Sequence, residues 1–550
     1  MNKRYTAYRL FFIGIFACVF SIIGCSDSDD DRRSVRNPSE LTAGLQEAFL
    51  QHYPEDNEAG LAHVTYWTLT PDDPRFQQLA PEEQEKVTKI QANQIHSRLF
   101  QPNQVVPGYE ATGLLNREGR LQTAVLKVPE NWNGDLVVAG TPGLRNEYAN
   151  EAVLAPWLLE QGYAYVTGDK GLINGSDTML SGDHPTQHWG IMMLDLARWA
   201  EERLQTATRA QVGRTYAVGL SNGGYQVRRA LEIDHESVEE ENRRIFDGGL
   251  DWSGAYWPDG RVLDTDTNGE VSPAEYAAFN SLIRSIDRAA LAMGWAYSPD
   301  TATTPENWAA SPRYPEVHGT MTDAGFTSES AVFWGYYNTI FDSFKAVLPT
   351  YKGVGYYNLV SYIYRAELRG DDAEAAAAYE NYLDPKNPDA EPPLYDWLAN
   401  ADHQGWNEES VAWALKNANT GEFSAPLLTA SGKADGLVAY TAQAVAYQDA
   451  VQEYGNPELY RLYTIENAGH VDAHADGSGD FDFNGIPGDE GMADRLTPMQ
   501  AYVERAFRYL VDWTENGNPP PESRVIHTDP AADVTDPDAL DWGGTLQASL

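Results

Sequence analysis

Cysteine is nearly absent from this 550-residue chain, which contains two, Cys18 and Cys25. Both lie close to the amino terminus, so no disulfide can form within the long remainder of the sequence. A chain of this length does not need such cross-links, because it can bury a large apolar core. Hydrophobic burial rather than covalent bonding is therefore expected to hold the folded part together.

Basic residues are also scarce. The chain has 39 Lys and Arg residues against 81 Asp and Glu residues, which gives a formal net charge of −42. The acidic side chains are scattered rather than grouped in one block, so the excess is a property of the whole surface. Such a surface argues against nucleic acids and anionic membrane surfaces as partners, and it favours a neutral or cationic substrate.

Long apolar runs are missing except at the amino terminus. The segment Leu10–Ile23 is almost wholly apolar, follows three basic residues (Lys3, Arg4 and Arg9), and is too short for an ordinary membrane span. Residues 22–25, at the end of this run, read Ile-Ile-Gly-Cys, which resembles a bacterial lipobox. Cleavage before Cys25 would leave this cysteine as a lipidated first residue. The polar segment Ser26–Arg33 would serve as a tether. The sequence thus predicts a protein anchored by lipid in the bacterial cell envelope, at the outer membrane or the periplasmic face; the alternative is a removable signal peptide with an incidental cysteine.

The most informative motif is Gly219–Gly223, with the sequence Gly-Leu-Ser-Asn-Gly. It follows an apolar, β-branched run at 215–218 and precedes a predicted helix at 225–232. Strand, G-x-S-x-G and helix in this order are typical of a nucleophile elbow, in which a sharp turn exposes the serine at the top of a sheet. Ser221 is therefore the predicted nucleophile. The alternative is an ordinary Gly-rich turn between a strand and a helix.

A serine nucleophile needs a general base and an acid that orients it, in the order Ser, Asp or Glu, His for this kind of site. Asp435 follows a short apolar strand at 425–432, and His470 ends the strand-and-loop segment 462–470 on Ala-Gly-His. We predict that Asp435 is the acid and His470 the base. Two alternatives stay open: Asp435 could cap the following helix, and His474 could be the base. Three further histidines are candidates for a substrate cleft: His184, His188 and His403.

Acyl transfer also requires donors for the oxyanion. One is expected to be the N–H of Asn222, the residue after the nucleophile. The second is expected in the loop that follows the strand beginning at Asp135. Pro142 has no N–H, so Leu144 is the preferred donor and Thr141 the second choice. The alternative for this loop is an ordinary Gly/Pro turn.

These motifs occur in an order that resembles one branch of the α/β-hydrolases. The oxyanion loop, the strand and turn Gly162–Gly171 with its Asp-Lys-Gly end, the elbow, the acid and the histidine are similar to the tannase and 3-hydroxybutyrate-oligomer hydrolase branch, as is the carboxyl-terminal stretch 496–526. Tannases and feruloyl esterases join a cysteine before the nucleophile to one after the histidine. Leu220 and Val471 stand at those places here, which favours the oligomer-hydrolase side.

The resemblance implies an α/β-hydrolase fold, a mostly parallel twisted sheet flanked by helices. Between Ser221 and Asp435 the chain is about twice as long as a few strand–helix units require, so a large, mostly helical cap is expected. The predicted layout is a signal peptide (1–24), a tether and N-terminal extension (25–100), the first part of the core (101–255), the cap (256–423), the second part of the core (424–527) and a loosely ordered tail (528–550).

The cap contains a second sharp motif. Residues 264–275 fit the twelve-residue calcium loop of an EF-hand, with oxygen ligands at alternating positions, a glycine at position 6 and a glutamate at position 12. The predicted ligands are Asp264, Asp266, Asn268, the carbonyl of Glu270, Ser272 and the bidentate Glu275. We predict one structural Ca²⁺ and no organic cofactor; the alternative is an acidic turn. Whether the segment Asp476–Asn484 binds a second calcium is left open, because Gly491 replaces the bidentate carboxylate.

Together these patterns predict a serine hydrolase of carboxylic esters, with short hydroxyalkanoate oligomers or polyester fragments as substrates. Alternatives are an esterase for aromatic plant esters, a peptidase with the same triad, and a non-catalytic binding lipoprotein.

Overall fold

The computed structural model describes residues 45–53, 59–63, 73–91, 105–143, 145–171, 185–241, 243–256, 315, 318–319, 322, 327, 418–435, 438, 440–472, 475, 495–530, 536–540 and 542. These residues form one ten-stranded sheet with helices on both faces. The strands are β1 (Ala59–His63), β2 (Val106–Arg117), β3 (Arg120–Pro129), β4 (Leu136–Gly140), β5 (Ala164–Gly168), β6 (Thr215–Leu220), β7 (Gly248–Trp252), β8 (Leu427–Gly432), β9 (Tyr460–Ile465) and β10 (Arg524–Ile526).

The strand order is β1-β2-β3-β5-β4-β6-β7-β8-β9-β10. The first four strands in this order are joined by antiparallel pairings, and all pairings from β5 to β10 are parallel. Strands β4 to β9 are buried along their whole length, which matches their continuous apolar sequences, because a parallel sheet is covered on both faces. All six carboxyl ends consequently meet at one edge of the sheet.

Helices cover the sheet in two layers. They are α1 (Leu45–His52), α2 (Pro81–Gln91), α3 (Ala155–Glu160), α4 (Pro185–Thr208), α5 (Asn222–Glu241), α6 (Ala446–Tyr454) and α7 (Gln500–Asn516), and short helical turns lie at Phe76–Gln78, Thr441–Val445, Pro457–Leu459 and Pro537–Ala539. Apolar residues of α1, α4, α5 and α6 pack on one face, and those of α3 and α7 on the other. Alternate residues of each strand point to opposite faces, so Val138 joins the first cluster and Val137 the second.

Both ends of the described chain pack on this core. In the N-terminal extension, the ring of Phe49 stacks on Tyr109 of β2 with 4.2 Å between centroids. Near the carboxyl end, Trp542 is 2 % exposed and lies against Tyr463, Tyr502 and Tyr509. Part of the predicted tail therefore belongs to the apolar core. Within the described residues, no helix has the length and apolar character that crossing a bilayer requires.

Candidate active site

Ser221 lies in the sharp turn between β6 and α5. Its φ of 61° places a non-glycine residue in the left-handed region, a conformation that costs free energy and that surrounding contacts must maintain. Its N–H donates to the Trp252 carbonyl at 2.8 Å, and its own carbonyl accepts from the Tyr225 N–H at 3.1 Å. The backbone on both sides of the serine is thus fixed, as a nucleophile elbow requires.

Glycines make the turn sterically possible. A Cβ on Gly223 would overlap the carbonyl of Gly140, and a Cβ on Gly219 would overlap the carbonyl of Gly223. Strand register explains the crowding, because Gly140 and Gly219 are paired across β4 and β6 and α5 begins directly above them. The small residues of the motif let the helix start against the end of the sheet.

Asp435 and His470 form a buried hydrogen-bonded pair. Oδ2 of Asp435 lies 2.7 Å from Nδ1 of His470, and the residues are 0 % and 3 % exposed. The other carboxylate oxygen, Oδ1, accepts the N–H of Val438 at 2.8 Å. Asp435 therefore both caps the following turn and contacts the imidazole, so the two readings of this residue are compatible.

Hydrogen bonds connect the loops that carry these residues. Beyond the strand ends, the Ser253 N–H donates to Ala430 at 2.8 Å, the Gly432 N–H donates to the Ser253 hydroxyl at 3.4 Å, and the Ala434 N–H donates to Ala468 at 3.0 Å. With the bond from Ser221 to Trp252, they link the elbow to the acid loop and the histidine loop. The loops that carry Ser221, Asp435 and His470 are therefore joined by hydrogen bonds along the carboxyl ends of the strands.

The topology also makes neighbouring connections diverge at this edge. The chain leaves β4 toward α3 on one face of the sheet and leaves β6 toward α5 on the other. In open α/β sheets, ligands bind where neighbouring connections diverge in this way. In this sheet the connections diverge between Ser221 and the loop that begins at Thr141.

The predicted oxyanion donors Asn222 and Thr141 differ in the hydrogen bonding of their backbone N–H groups. Asn222 is the first residue of α5, where the N–H has no partner within the helix. Its side-chain Nδ2 lies 3.4 Å from the Gly143 carbonyl, which brings the loop after β4 next to the elbow. The N–H of Thr141 donates to Gln226 Oε1 at 2.9 Å, so this second-choice donor is already engaged. Leu144 lies outside the described residues.

Asp472 is a site residue that the sequence reasoning missed. Its carboxylate is 4 % exposed and accepts the N–H of Met499 at 2.6 Å and that of Gln500 at 2.8 Å. Asp472 therefore caps α7 although it lies far from this helix in the sequence, and the contact anchors the loop two residues after His470. One signal was available in the sequence. Between Thr497 and the start of α7 there is no Ser, Thr, Asp or Asn that could serve as an N-cap, which indicates a cap from another segment.

The turn after β5 contains two buried charged residues. Asp169 Oδ1 accepts the N–H groups of Thr123 and Gly171, both at 3.0 Å, and burial raises the pKa of this carboxyl to about 6. Lys170 is fully buried and its φ is 61°. The sequence interpretation used this turn only as part of a family resemblance.

Several predicted residues cannot be placed. Outside the described residues lie Cys25, His184, His403, His474, the calcium ligands Asp264, Asp266, Asn268, Glu270, Ser272 and Glu275, and the segment Asp476–Asn484. His188 lies in α4 with a half-buried side chain. Within the described part of the chain, no group of three or more His, Cys, Asp or Glu side chains is arranged to hold a metal ion.

The positions that hold a cysteine pair in tannases are apolar here. Leu220 is 1 % exposed, and the partly buried Val471 packs against the apolar cluster to which Leu220 belongs. Both positions therefore contribute to apolar packing in this chain.

Comparison with known proteins gives a family match for the carboxyl-terminal part. The family model described as an alpha/beta hydrolase domain matches residues 371–548. No curated protein matches the sequence.

Solved structures similar to this chain include feruloyl esterase B from Aspergillus oryzae, with 12 % identity, a TM-score of 0.43, and coverage of 86 % of this chain and 91 % of that one. Tannin acyl hydrolase from Aspergillus niger has 12 % identity, a TM-score of 0.37, and coverage of 77 % and 81 %. A ligand-bound form of the rice cell wall degrading esterase LipA from Xanthomonas oryzae has 13 % identity, a TM-score of 0.34, and coverage of 75 % and 89 %.

The sheet, with antiparallel strands first and parallel strands after them, is the mostly parallel sheet predicted for an α/β-hydrolase. The family match to residues 371–548 indicates the same fold. The predicted fold class is confirmed: this chain has the α/β-hydrolase fold.

Proposed function

We propose that this protein is a serine hydrolase that cleaves carboxylic esters, with Ser221, His470 and Asp435 as its catalytic residues. The observation that carries the proposal is the buried Asp435–His470 hydrogen bond of 2.7 Å at the edge of the sheet where Ser221 occupies a left-handed elbow. An imidazole held by a carboxylate at Nδ1 keeps Nε2 for proton transfer. A carboxylate that orients a histidine in this way is the arrangement that serine hydrolases use.

In the proposed mechanism, His470 Nε2 takes the proton of the Ser221 hydroxyl as Oγ attacks the ester carbonyl. The resulting oxyanion is stabilised by the N–H of Asn222 and by N–H groups of the loop after β4. Collapse of the tetrahedral intermediate expels the alcohol, which receives the proton from His470. Water then attacks the acyl-enzyme with His470 again as base, which releases the acid and restores the serine.

The proposed substrates are short hydroxyalkanoate oligomers or fragments of polyesters. The family resemblance of the sequence supports this choice, as does the absence of the tannase cysteine pair at Leu220 and Val471. The net charge of −42 favours substrates without a high density of negative charge. Aromatic plant esters are the second candidate class.

The sequence also supports a location for this activity. We propose that lipid attached to Cys25 anchors the enzyme in the bacterial cell envelope. Cys25→Ser should move the protein from the membrane fraction to the soluble fraction without changing its kinetic constants. Equal fractionation of the two proteins would contradict the anchor.

The nucleophile is tested by labelling with a fluorophosphonate, which phosphonylates activated serines. Wild-type protein should be labelled at Ser221 and should hydrolyse p-nitrophenyl esters, and Ser221→Ala should lose both properties while its melting temperature stays near that of the wild type. Ser237→Ala is the control, because Ser237 lies near the carboxyl end of α5, the helix that begins at the elbow, and its hydroxyl donates to the Asp234 carbonyl at 3.2 Å. It should keep both labelling and hydrolysis.

Folded wild-type protein that is neither labelled nor active would favour the binding-lipoprotein alternative. Substrate class is decided by comparing kcat/KM for hydroxybutyrate oligomers, feruloyl esters and a peptide amide under one set of conditions. A preference for feruloyl esters would replace the oligomers with the second candidate class.

A further inference from the structure

Lys170 makes contacts that are unusual for a buried lysine. It follows β5 and is 0 % exposed, and its Nζ donates to the carbonyl of Thr141 at 2.5 Å and to that of Gly143 at 2.6 Å. The same nitrogen lies 4.7 Å from the ring centroid of Trp189. Its two hydrogen bonds therefore hold the loop after β4 on both sides of Pro142.

The hydrogen-bond acceptors of Lys170 among the described residues are backbone carbonyls. Among the described residues, no carboxylate pairs with its Nζ, and the adjacent Asp169 directs Oδ1 to the backbone N–H groups of Thr123 and Gly171. Burial lowers the pKa of Lys170 well below its ordinary value. An apolar side chain would fill this position at a lower desolvation cost. We infer that the chain has an amine here because the amine donates the two hydrogen bonds to backbone carbonyls.

We propose that Lys170 is a positioning residue for the oxyanion hole, which it sets by holding the Thr141 and Gly143 carbonyls away from the oxyanion. The role rests on the proposed function, because an oxyanion forms only if Ser221 acts as the nucleophile. The loop concerned lies beside the elbow, since Asn222 Nδ2 is 3.4 Å from the same Gly143 carbonyl.

The planarity of the peptide bond explains how the bonds act. In a trans peptide the C=O of one residue and the N–H of the next point in opposite directions. With the Thr141 and Gly143 carbonyls both bound to Lys170, rotation of the peptide groups between them is restricted. The Pro142–Gly143 peptide lies between the two held carbonyls, so the direction of the Gly143 N–H is restrained as well.

Two further features hold the carbonyl-bound conformation. Gly143 has a φ of 52°, which glycine adopts without strain, and the Thr141 hydroxyl donates to the Gly168 carbonyl at the end of β5. The loop after β4 is thus joined to the turn after β5 by side chains from both. An amine at Lys170 completes this arrangement because even its neutral form has N–H donors for both carbonyls.

Lys170→Met tests the role, since methionine is of similar length but donates no hydrogen bond. Removal of a single oxyanion donor typically costs about 10²–10³-fold in kcat. We expect kcat for a p-nitrophenyl ester to fall by about that factor with KM nearly unchanged, and the rate of fluorophosphonate labelling of Ser221 to fall in parallel, because phosphonylation uses the same donors.

The matched control is Arg461→Met. Arg461 is 4 % exposed, lies at the amino end of β9, opposite the edge that carries the elbow, and its guanidinium pairs with Glu522 at 3.1 Å. Loss of this ion pair should lower the melting temperature but leave kcat and the labelling rate at wild-type values. A purely structural role for Lys170 predicts the same pattern for Lys170→Met.

Lys170→Arg keeps the test decisive if the methionine variant does not fold. Arginine retains the donors but displaces them, so kcat should fall about tenfold with KM unchanged. Wild-type kcat in a folded Met or Arg variant would overturn the role of Lys170 alone. Absence of labelling in the wild type would instead overturn the proposed function, and this role with it.

Discussion

Oδ2 of Asp435 and Nδ1 of His470 lie 2.7 Å apart although 35 positions separate the residues in the sequence. Strands β8 and β9 are adjacent and parallel, and each residue stands in the loop that follows its strand. The contact is therefore a consequence of sheet topology.

Asp435→Asn should lower kcat for ester hydrolysis by about 10²–10⁴-fold, because an amide cannot stabilise the imidazolium that forms during catalysis. The fold should change little, since asparagine can still accept the Val438 N–H through its Oδ1. Steady-state kinetics and thermal unfolding measure the two effects. Activity within about threefold of the wild type would mean that Asp435 is only a cap.

Asp472→Ala should destabilise the protein by about 2–4 kcal/mol, because two buried N–H groups, those of Met499 and Gln500, lose a charged acceptor. It should also reduce kcat by about tenfold, since the loop after His470 is no longer anchored. Urea unfolding and kinetics at a temperature where the variant is folded separate these effects. Asp472→Asn, which keeps one acceptor oxygen, should lie between the wild type and Asp472→Ala; an alanine variant with wild-type stability would exclude the anchoring role.

The stability of the protein should carry a pH-dependent contribution from Asp169. Its pKa is about 6 in the folded protein and 3.8 as the ordinary value, so the folded state binds the proton more tightly. The contribution is fully present below pH 3.8 and is lost as pH rises through about 6, a change of roughly 3 kcal/mol at 1.36 kcal/mol per pKa unit.

Asp169→Asn is the comparison for this effect, because asparagine Oδ1 can accept the same two N–H groups without titrating. The difference in unfolding free energy between variant and wild type should grow in favour of the variant from pH 4 to pH 8. Parallel pH profiles for the two proteins would show that Asp169 does not titrate in this range.

Calcium binding remains a prediction from the sequence. Titration calorimetry should detect one site in the loop 264–275, and a chelator should lower the melting temperature, since an ion that binds only the folded state stabilises it by about 2.7 kcal/mol at a hundredfold excess over Kd. Glu275→Gln should weaken binding by removing the bidentate ligand. Absence of binding heat in the wild type would identify the segment as an acidic turn.

Local patterns sufficed to predict the central part of the fold. Continuous apolar runs bounded by glycine predicted β4, β6 and β8, and the elbow motif placed Ser221 between a strand and a helix, as the structure has it. These predictions succeeded because buried parallel strands and their turns leave a signal within about ten residues.

Contacts between distant segments left no signal that identified the partner residue. The position of Lys170 beneath the loop after β4, the capping of α7 by Asp472 and the burial of Trp542 all depend on which elements become neighbours. A single sequence shows residue types but not these pairings. For the same reason, the engagement of the Thr141 N–H by Gln226 could not be anticipated from the Gly/Pro pattern.

Strands β7 and β8 are neighbours, with Gly249 opposite Leu427, yet residues 253–426 separate them in the chain. The entropy of closing a connection grows only with the logarithm of its length, about 0.6 kcal/mol for each doubling. Evolution can therefore lengthen, shorten or replace this connection at small thermodynamic cost while both strands keep their places. During synthesis, a nascent chain that ends before Leu427 already contains Ser221 but neither Asp435 nor His470, so the proposed hydrolytic centre cannot assemble until synthesis has passed His470.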